Sequence, residues 1–364
     1  MKKYDYIIVG AGICGCTVAY ELQKYSKDVL LIDKNINVGM GASGAAGAFL
    51  SPLLGKPNKF KNLISKALSY STDFYKINTP ESIDNCGTIR IPKDDEDELK
   101  FQSYIPFMDF KFEKDVESGG YFFPIGSVVN SFEACTTLSD KTEKLLNYEI
   151  NIIEFINEEW ILNKEITTNN LILATGANVK LLDEKYIDIR AIWGQRIDIE
   201  TSTCITKNYH KECSVSRTIK KDKNTYKCSI GATHHRFVEE KQVDNIDTEI
   251  LLKKASDIIL LNNVKVTGMF GGARSSSSDY FPIVGTLVDS TKTLIEFPYL
   301  KNGTNVNPSR FSRHKHLHII NGVGGRGFVL APYLANQLVE NIINNDNIEE
   351  NIKSDRLFKR WVKK

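Results

Sequence analysis

The stretch Tyr4–Gly15, with the sequence YDYIIVGAGICG, decides the fold of this chain. It joins an apolar run to a predicted helix at Ile13–Lys24 and spaces its glycines as G-x-G-x-x-G. This pattern is typical of a dinucleotide-binding turn. The first glycine permits a tight turn, the second lets the backbone approach a pyrophosphate, and the third lets the helix pack against its strand. The sequence therefore predicts a nucleotide site at Gly10, Gly12 and Gly15.

A second apolar run, Val29–Ile32, ends at Asp33 and strengthens this prediction. A carboxylate at the end of such a strand can accept hydrogen bonds from a ribose diol. Lys34 follows directly and is assigned to the same site. The amino end of the first helix would add unpaired N–H groups and a positive dipole end that face the phosphates.

Composition limits the class of protein. The 364 residues suit two domains, and 41% hydrophobic with 25% charged residues is typical of a globular protein. A net charge of +2 is too small to indicate a polyanion partner by itself. Because no apolar stretch reaches the ~18 residues that a bilayer requires, we expect no membrane segment and a cytoplasmic location. The seven scattered cysteines form no CxxC pair, which argues against a disulfide framework.

Two features that could carry chemistry are interpreted as structural. Cys14 and Cys16 lie at the helix start, where a dipole could lower a thiol pKa, but we favour packing of small residues beside a cofactor. The acidic run Asp94–Glu98 follows Pro92 and is interpreted as a first helical turn, not as paired catalytic carboxylates.

Three later segments place small residues where a large ligand can approach the backbone. The first is the loop Gly39–Gly47. The second is Leu171–Ala177, a predicted buried strand that ends in small residues. The third is the glycine-rich turn Asn321–Gly327, between a predicted strand at His316–Ile320 and a predicted helix at Phe328–Ile343.

The other segments divide between helices and one antiparallel layer. Residues 87–91, 121–123, 128–129 and 187–232 have strand texture and are expected to share this layer. Helical spacing predicts helices around Leu63–Phe74 and at Thr248–Leu261. The serines Ser275–Ser278 are predicted to form a loop.

The order of these motifs resembles the D-amino-acid-oxidase superfamily of FAD enzymes, which includes glycine oxidase and monomeric sarcosine oxidase. Within it, the chain is similar to the oxidase domain of the MnmC-type tRNA-modifying enzymes. The matching segments are Gly41–Gly47 with Ser51–Leu54, Cys86–Gly87, Gly120–Pro124, Ala174–Gly176, Gly194–Gln195, Gly271–Arg274, Asp279–Gly285 and Gly322–Pro332.

The resemblance implies an α/β fold in which a doubly wound, Rossmann-like FAD-binding domain is interleaved with an antiparallel-sheet α+β substrate domain. The expected FAD-binding domain is discontinuous, and the substrate domain fills its gaps. The FAD-binding parts are residues 1–85, 133–186 and 271–364, and the substrate parts are residues 86–132 and 187–270.

The resemblance also implies roles for individual residues. Arg274 would hold a substrate carboxylate with its planar guanidinium, and Tyr280 is a weaker candidate for the same clamp. Ser275 and Ser276 follow Arg274 where sarcosine oxidases carry a flavin-linking cysteine, so FAD is expected to be non-covalent. No metal is expected. The FAD-binding candidates are Gly10, Gly12, Gly15, Asp33, Lys34, Ser43, Gly44, Gly47, Ala174, Gly176, Gly325, Arg326, Gly327 and Phe328.

The implied reaction is oxidation of 5-carboxymethylaminomethyl(-2-thio)uridine at the tRNA wobble position to the aminomethyl derivative and glyoxylate, with dioxygen as electron acceptor. Since the FAD fingerprint begins at residue 4, the later methylation is expected either from a separate methyltransferase or not to occur. Two alternatives stay open: a small-molecule oxidase of the glycine or sarcosine type, and a non-catalytic nucleotide- or RNA-binding protein.

Three basic stretches are candidate phosphate contacts, each weighed against an ordinary solvated surface. On one side of the cleft, they would suit an RNA stem. His314, His316 and His318 would share a strand face, which we interpret as part of a phosphate stripe in preference to a metal site. The stretches are residues 310–318, 207–226 and 359–364.

Overall fold

The computed structural model describes residues 1–238 and 240–364. Among these residues, strands form two large sheets and one small one. The α-helices are α1 (Ile13–Leu22), α2 (Lys59–Asn78), α3 (Asp95–Tyr104), α4 (Ser131–Leu138), α5 (Asn245–Ser256), α6 (Ser290–Glu296), α7 (Gly327–Asn344) and α8 (Asp355–Trp361). The strands are β1 (Lys2–Val9), β2 (Val29–Ile32), β3 (Phe49–Leu50), β4 (Ile83–Asp84), β5 (Thr88–Arg90), β6 (Glu113–Lys114), β7 (Tyr121–Phe123), β8 (Ser127–Val129), β9 (Glu143–Leu145), β10 (Ile153–Ile156), β11 (Glu159–Leu162), β12 (Ile166–Leu173), β13 (Ile189–Thr201), β14 (Asn208–His210), β15 (Ser214–Val215), β16 (Ile219–Lys220), β17 (Tyr226–Gly231), β18 (His235–Arg236), β19 (Lys265–Ser277), β20 (Ile283–Val288) and β21 (Arg313–Asn321).

The first sheet has a parallel centre in the order β9-β2-β1-β12-β21. Successive residues of β1 point to opposite faces, so Ile8 packs under α1 and α7 whereas Ile7 packs in the core that includes α8. Both faces are therefore buried, as the near-continuous apolar strands require. This arrangement confirms the predicted doubly wound α/β class.

The second sheet is mostly antiparallel and is built on the long pair β13 and β19. These strands keep one register from Ile189 opposite Ser277 to Asp198 opposite Gly268, and a shift of one residue then places Glu200 opposite Lys265. The β5 and β7 strands join the same sheet through β14, which confirms that residues 87–91 and 121–123 share one layer with β13 and β17. The prediction is wrong for residues 128–129, because β8 pairs with β3 and β4 instead. Leu251 of α5 packs against Ile197 and Ile199 of β13 to close this layer.

Most predicted helices are confirmed within a few residues. The acidic run does begin a helix, because the side chain of Asp94 accepts a hydrogen bond from the Asp97 amide at the start of α3. The predicted helix at Thr248–Leu261 ends earlier, at Ser256. The predicted loop at Ser275–Ser278 is wrong, because β19 continues to Ser277 and these serines pair with β13. Serine favours turns locally, and pairing with a long partner strand overrides that preference here.

The predicted domain division stays a prediction. Its boundary at residues 270/271 lies inside β19, so both sides of that boundary pair with β13. The β8 strand, which falls in the predicted substrate domain, pairs with β3 and β4 in a small separate sheet. In the described part of the chain, no helix has both the length and the apolar character to cross a bilayer.

Candidate active site

A cavity of about 1010 Å³ lies at the carboxyl ends of β1, β2, β12 and β21. This is the edge at which open parallel sheets bind ligands. Residues that follow these strands line one side, among them Gly10 and Asn321, and residues of the second sheet line the other, among them Arg90, Gly194 and Arg274. The cavity therefore lies between the two large sheets, and residues of both line it.

The glycine turn after β1 requires glycine for two different reasons. Gly10 has φ +109°, and a Cβ there would lie 2.3 Å from the carbonyl oxygen of Ala174. A Cβ on Gly15 would lie 1.8 Å from the carbonyl oxygen of Gly10, so α1 can approach β1 only without one. Gly12 lines the cavity directly, while Gly15 acts from behind it by allowing this close packing.

Asp33 lies at the cavity and braces the glycine turn. Its Oδ2 accepts a hydrogen bond of 2.6 Å from the Ala11 amide, and its Oδ1 accepts one of 2.8 Å from the Asn35 amide. Lys34 is exposed and also lines the cavity. Both predicted residues thus lie beside the turn.

The loop from Gly39 to Gly47 passes between the two sheets. Ser43 is buried, and its Oγ accepts a 2.9 Å hydrogen bond from the Ile13 amide at the start of α1. Ser43 and Gly47 line the cavity. Gly44 does not line the cavity, because it packs against Gly39. A Cβ on Gly44 would lie 2.8 Å from the carbonyl oxygen of Gly39.

The predicted residues at the start of α7 and at the end of β12 all line the same cavity. The side-chain amide of Asn321, at the end of β21, donates a 2.9 Å hydrogen bond to the carbonyl oxygen of Gly176. This bond connects the end of β21 to the segment that follows β12. The first amides of α7 have no partner within the helix and carry its positive dipole end. These cavity-lining residues are Ala174, Gly176, Gly325, Arg326, Gly327 and Phe328.

Arg274, on β19, is held by carbonyl groups. Its Nη1 donates to the carbonyl oxygens of Thr233 at 3.2 Å and Trp193 at 3.4 Å. No carboxylate of the described residues pairs with it, and burial lowers its pKa to about 10. The guanidinium therefore stays charged at neutral pH and faces the cavity as a cation available to an anionic ligand.

Tyr280 lines the rim of the cavity and has a strained backbone. It is 63% exposed and has φ +68°, a conformation that bulky residues rarely adopt. Its role as a second clamp stays a prediction.

Sequence reasoning gave no role in the cavity to Arg90 and His234, and it named His210 only within the basic stretch 207–226. Burial is the largest cause of each pKa shift, lowering that of Arg90 to about 9 and that of His234 to about 4. The pKa of His210 also falls well below its usual value. A signal for Arg90 existed, since it is a lone cation between the apolar strand residues Ile89 and Ile91.

The prediction that residues 310–318 form a phosphate-contacting surface beside the cleft is wrong. It occupies the amino end of β21, whereas the cavity lies at the carboxyl end. Its charges are also satisfied, since Arg313 pairs with Asp355 and His314 with Glu184. His318 is buried, so the three imidazoles do not form one ligand face.

The cysteines beside the glycine turn are buried. Cys14 lines the cavity, and burial raises its pKa to about 12. Cys16 donates to the carbonyl oxygen of Ala11. A thiol with a raised pKa is a poor nucleophile, which supports the packing interpretation.

The chain matches, over residues 5–341, the model of the DAO family, described as FAD dependent oxidoreductase. It is 25% identical, over 93% of its length and 54% of the relative's, to the tRNA 5-methylaminomethyl-2-thiouridine biosynthesis bifunctional protein MnmC of Legionella pneumophila. The protein of that name from Shewanella amazonensis is 22% identical over the whole chain and 61% of the relative. The chain thus spans little more than half the length of these relatives.

Solved structures share the fold. Glycine oxidase from Geobacillus kaustophilus superposes with a TM-score of 0.73 at 17% identity, covering 96% of each chain. Iminodiacetate oxidase from Chelativorans superposes with a TM-score of 0.71 at 16% identity, covering 96% of this chain and 98% of the other.

Proposed function

The chain belongs to the DAO family of FAD dependent oxidoreductases, and we propose that it oxidises the 5-carboxymethylaminomethyl side chain of a tRNA wobble uridine. The bond cleaved joins the side-chain nitrogen to the carboxymethyl carbon. The products are the aminomethyl base and glyoxylate.

The residues of the cavity fit FAD, which the family requires. The turn at Gly10–Gly12 and the amino end of α1 suit the pyrophosphate, and Asp33 suits the ribose. The loop at Ser43–Gly47 and the start of α7 suit the ring system, because their small residues leave the backbone open to a flat ligand. No cysteine follows Cys228, and we propose that the cofactor is held without a covalent bond.

Arg274 is the observation that carries the proposal. A guanidinium without a protein carboxylate partner can bind the carboxylate of the substrate through two parallel hydrogen bonds. This contact would hold the adjacent carbon of the C–N bond in one orientation. FAD, when bound, supplies the two-electron acceptor for that carbon.

The overall reaction balances with water and dioxygen as co-reactants. The secondary amine loses two electrons and two protons and becomes an imine. Water then adds and splits the imine into the primary amine and glyoxylate. Dioxygen takes the two electrons and two protons and leaves as hydrogen peroxide. Little acid–base catalysis is needed from the chain, because the lone pair of a neutral amine nitrogen assists loss of hydride from the adjacent carbon.

The rim of the cavity supports an RNA substrate. Tyr280 is an aromatic residue of this rim, is 63% exposed and has positive φ. Arg190 is exposed near the rim, since it lies opposite Ser276 of the neighbouring strand, and Ser276 lines the cavity. Exposed aromatic rings and cations recognise unpaired bases and their phosphates. The names of the relatives from Legionella and Shewanella point the same way.

A small-molecule amine oxidase is the second candidate, because the superposed glycine and iminodiacetate oxidases share the fold. We further propose that a methyltransferase partner acts on the aminomethyl product and that the protein works in the cytoplasm with tRNA.

Nucleoside mass spectrometry of tRNA from a deletion strain tests the proposed function. We expect carboxymethylaminomethyl-uridine to accumulate and to disappear when the gene is restored. An unchanged nucleoside profile would exclude the tRNA reaction and favour the small-molecule oxidase.

A further inference from the structure

Three arginines line the cavity without a carboxylate partner among the described residues: Arg90, Arg274 and Arg326. A buried cation without a counter-charge is unfavourable unless carbonyl groups or a ligand satisfy it. The substrate carboxylate accounts for Arg274. The other two need a separate explanation.

Arg90 and Arg326 lie on either side of the Ser51–Pro52 segment. Arg90 Nη1 donates to the carbonyl oxygen of Pro52 at 3.1 Å and to Ser51 Oγ at 3.3 Å. Arg326 Nη1 donates to the carbonyl oxygen of Ser51 at 3.4 Å. The Arg90 Nε is buried and has no partner in the described structure. Since a guanidinium carries five N–H donors, most donors of this pair are not used by the protein.

The three arginines belong to one continuous arrangement. A Cβ on Gly325 would lie 3.6 Å from Arg274 Cδ, so the residue before Arg326 touches the carboxylate clamp. Arg90 and Arg274 both come from the second sheet and line the same cavity. A substrate held by Arg274 therefore shares this cavity with Arg90.

We propose that Arg90 is a specificity-determining residue that, beside Arg326, donates hydrogen bonds to a second acceptor group of the substrate. This inference rests on the proposed function. There, the acceptor is the O4 carbonyl oxygen of the uracil ring, which neighbours the carbon that carries the side chain. A substrate such as N-methylglycine has one carboxylate and no second acceptor, and it leaves Arg90 unmatched.

The alternative is that Arg90 only holds the Ser51–Pro52 segment in place. Substrate dependence separates the two roles, because a misplaced segment would impair every substrate equally. Three substrates form the test: an anticodon stem-loop with carboxymethylaminomethyl-uridine, iminodiacetate with its second carboxylate, and N-methylglycine. The holoenzyme variants are Arg90→Gln, Arg90→Lys and the control Arg310→Gln, whose arginine is exposed, lies outside the cavity and precedes the amino end of β21.

We expect Arg90→Gln to lower kcat/KM about tenfold or more for the stem-loop and iminodiacetate, mainly through KM, and less than threefold for N-methylglycine. Arg90→Lys should recover part of the loss of kcat/KM, and Arg310→Gln should leave kcat/KM unchanged for all three substrates. An equal loss on all three substrates, or no loss on any, overturns the assignment.

Failure of the proposed function gives a different result. In that case the wild-type protein fails to oxidise the stem-loop, while Arg90→Gln still lowers kcat/KM for iminodiacetate more than for N-methylglycine. That result would support the role of Arg90 and exclude the tRNA reaction. If the stem-loop is oxidised equally by wild type and Arg90→Gln, the tRNA reaction stands and the role of Arg90 falls.

Discussion

Gly194 of β13 lies directly against the guanidinium of Arg274, and a Cβ on Gly194 would lie 2.4 Å from Arg274 Nη1 and 2.5 Å from the carbonyl oxygen of Thr233. The glycine therefore determines where the cation can lie. Gly194→Ala should displace Arg274 and raise KM for the substrate at least about tenfold, while FAD stays bound. Steady-state kinetics with a flavin spectrum checks this.

The matched control for that change is Gly268→Ala on β19, whose Cβ would meet only side chains, 2.8 Å from the ring of Phe270. Its kinetics should stay near wild type. If both alanine variants behave alike, Gly194 has no special relation to Arg274.

Arg274 itself should be needed for substrate binding and not for holding FAD. Arg274→Gln removes the charged fork, and we expect kcat/KM to fall about 10- to 100-fold. Arg274→Lys keeps the charge without the two parallel donors, so its kcat/KM should lie between those of the wild type and Arg274→Gln. The flavin content of each purified variant is the control, and unchanged kcat/KM in Arg274→Gln would remove the carboxylate clamp from the mechanism.

Gly15 should be needed for FAD loading although it does not line the cavity. Gly15→Ala places a Cβ 1.8 Å from the carbonyl oxygen of Gly10, so α1 must move away from the glycine turn. The purified variant should carry little flavin by its visible absorbance. Gly303→Asn is the control, since that glycine has φ +82°, which asparagine tolerates, and open space around it. Full loading of Gly15→Ala would contradict the role given to this turn.

Acid should destabilise the protein partly through His318. Burial lowers its pKa to about 3, while its Nδ1 lies 3.1 Å from Thr286 Oγ1 and its Nε2 has no partner in the described structure. In the unfolded chain the imidazole of His318 takes up a proton near pH 6.5, whereas in the folded protein it does so only near pH 3. Its contribution to the free energy of unfolding is therefore fully present above pH 6.5 and is lost as the pH falls towards 3.

Urea unfolding of the holoenzyme at pH 6.5 and 4.5 measures this effect. The imidazole should account for about 2–3 kcal/mol of the loss. Between pH 6.5 and 4.5, the free energy of unfolding of His318→Gln should fall by about 2–3 kcal/mol less than that of the wild type. An equal fall in both proteins would show that another group titrates.

Most of the nucleotide side of the site could be predicted from sequence, because a local pattern determines it. Glycine spacing, an acid at a strand end and a glycine turn before a helix each lie within a short segment. The second sheet was harder. Gly194 and Arg274 come together through the register of β13 and β19, and Arg90 reaches the cavity through strands far apart in sequence. The serines after Arg274 show the same limit, since their strand depends on a partner about 85 residues earlier.

Anaerobic mixing of the holoenzyme with an anticodon stem-loop that carries carboxymethylaminomethyl-uridine shows whether modified tRNA reduces the flavin. We expect the visible flavin absorbance to bleach and about one glyoxylate to form per flavin, more slowly at high salt because RNA binding weakens. An unmodified stem-loop should leave the spectrum unchanged. Rapid bleaching by glycine or N-methylglycine, with none by the modified RNA, would contradict the account.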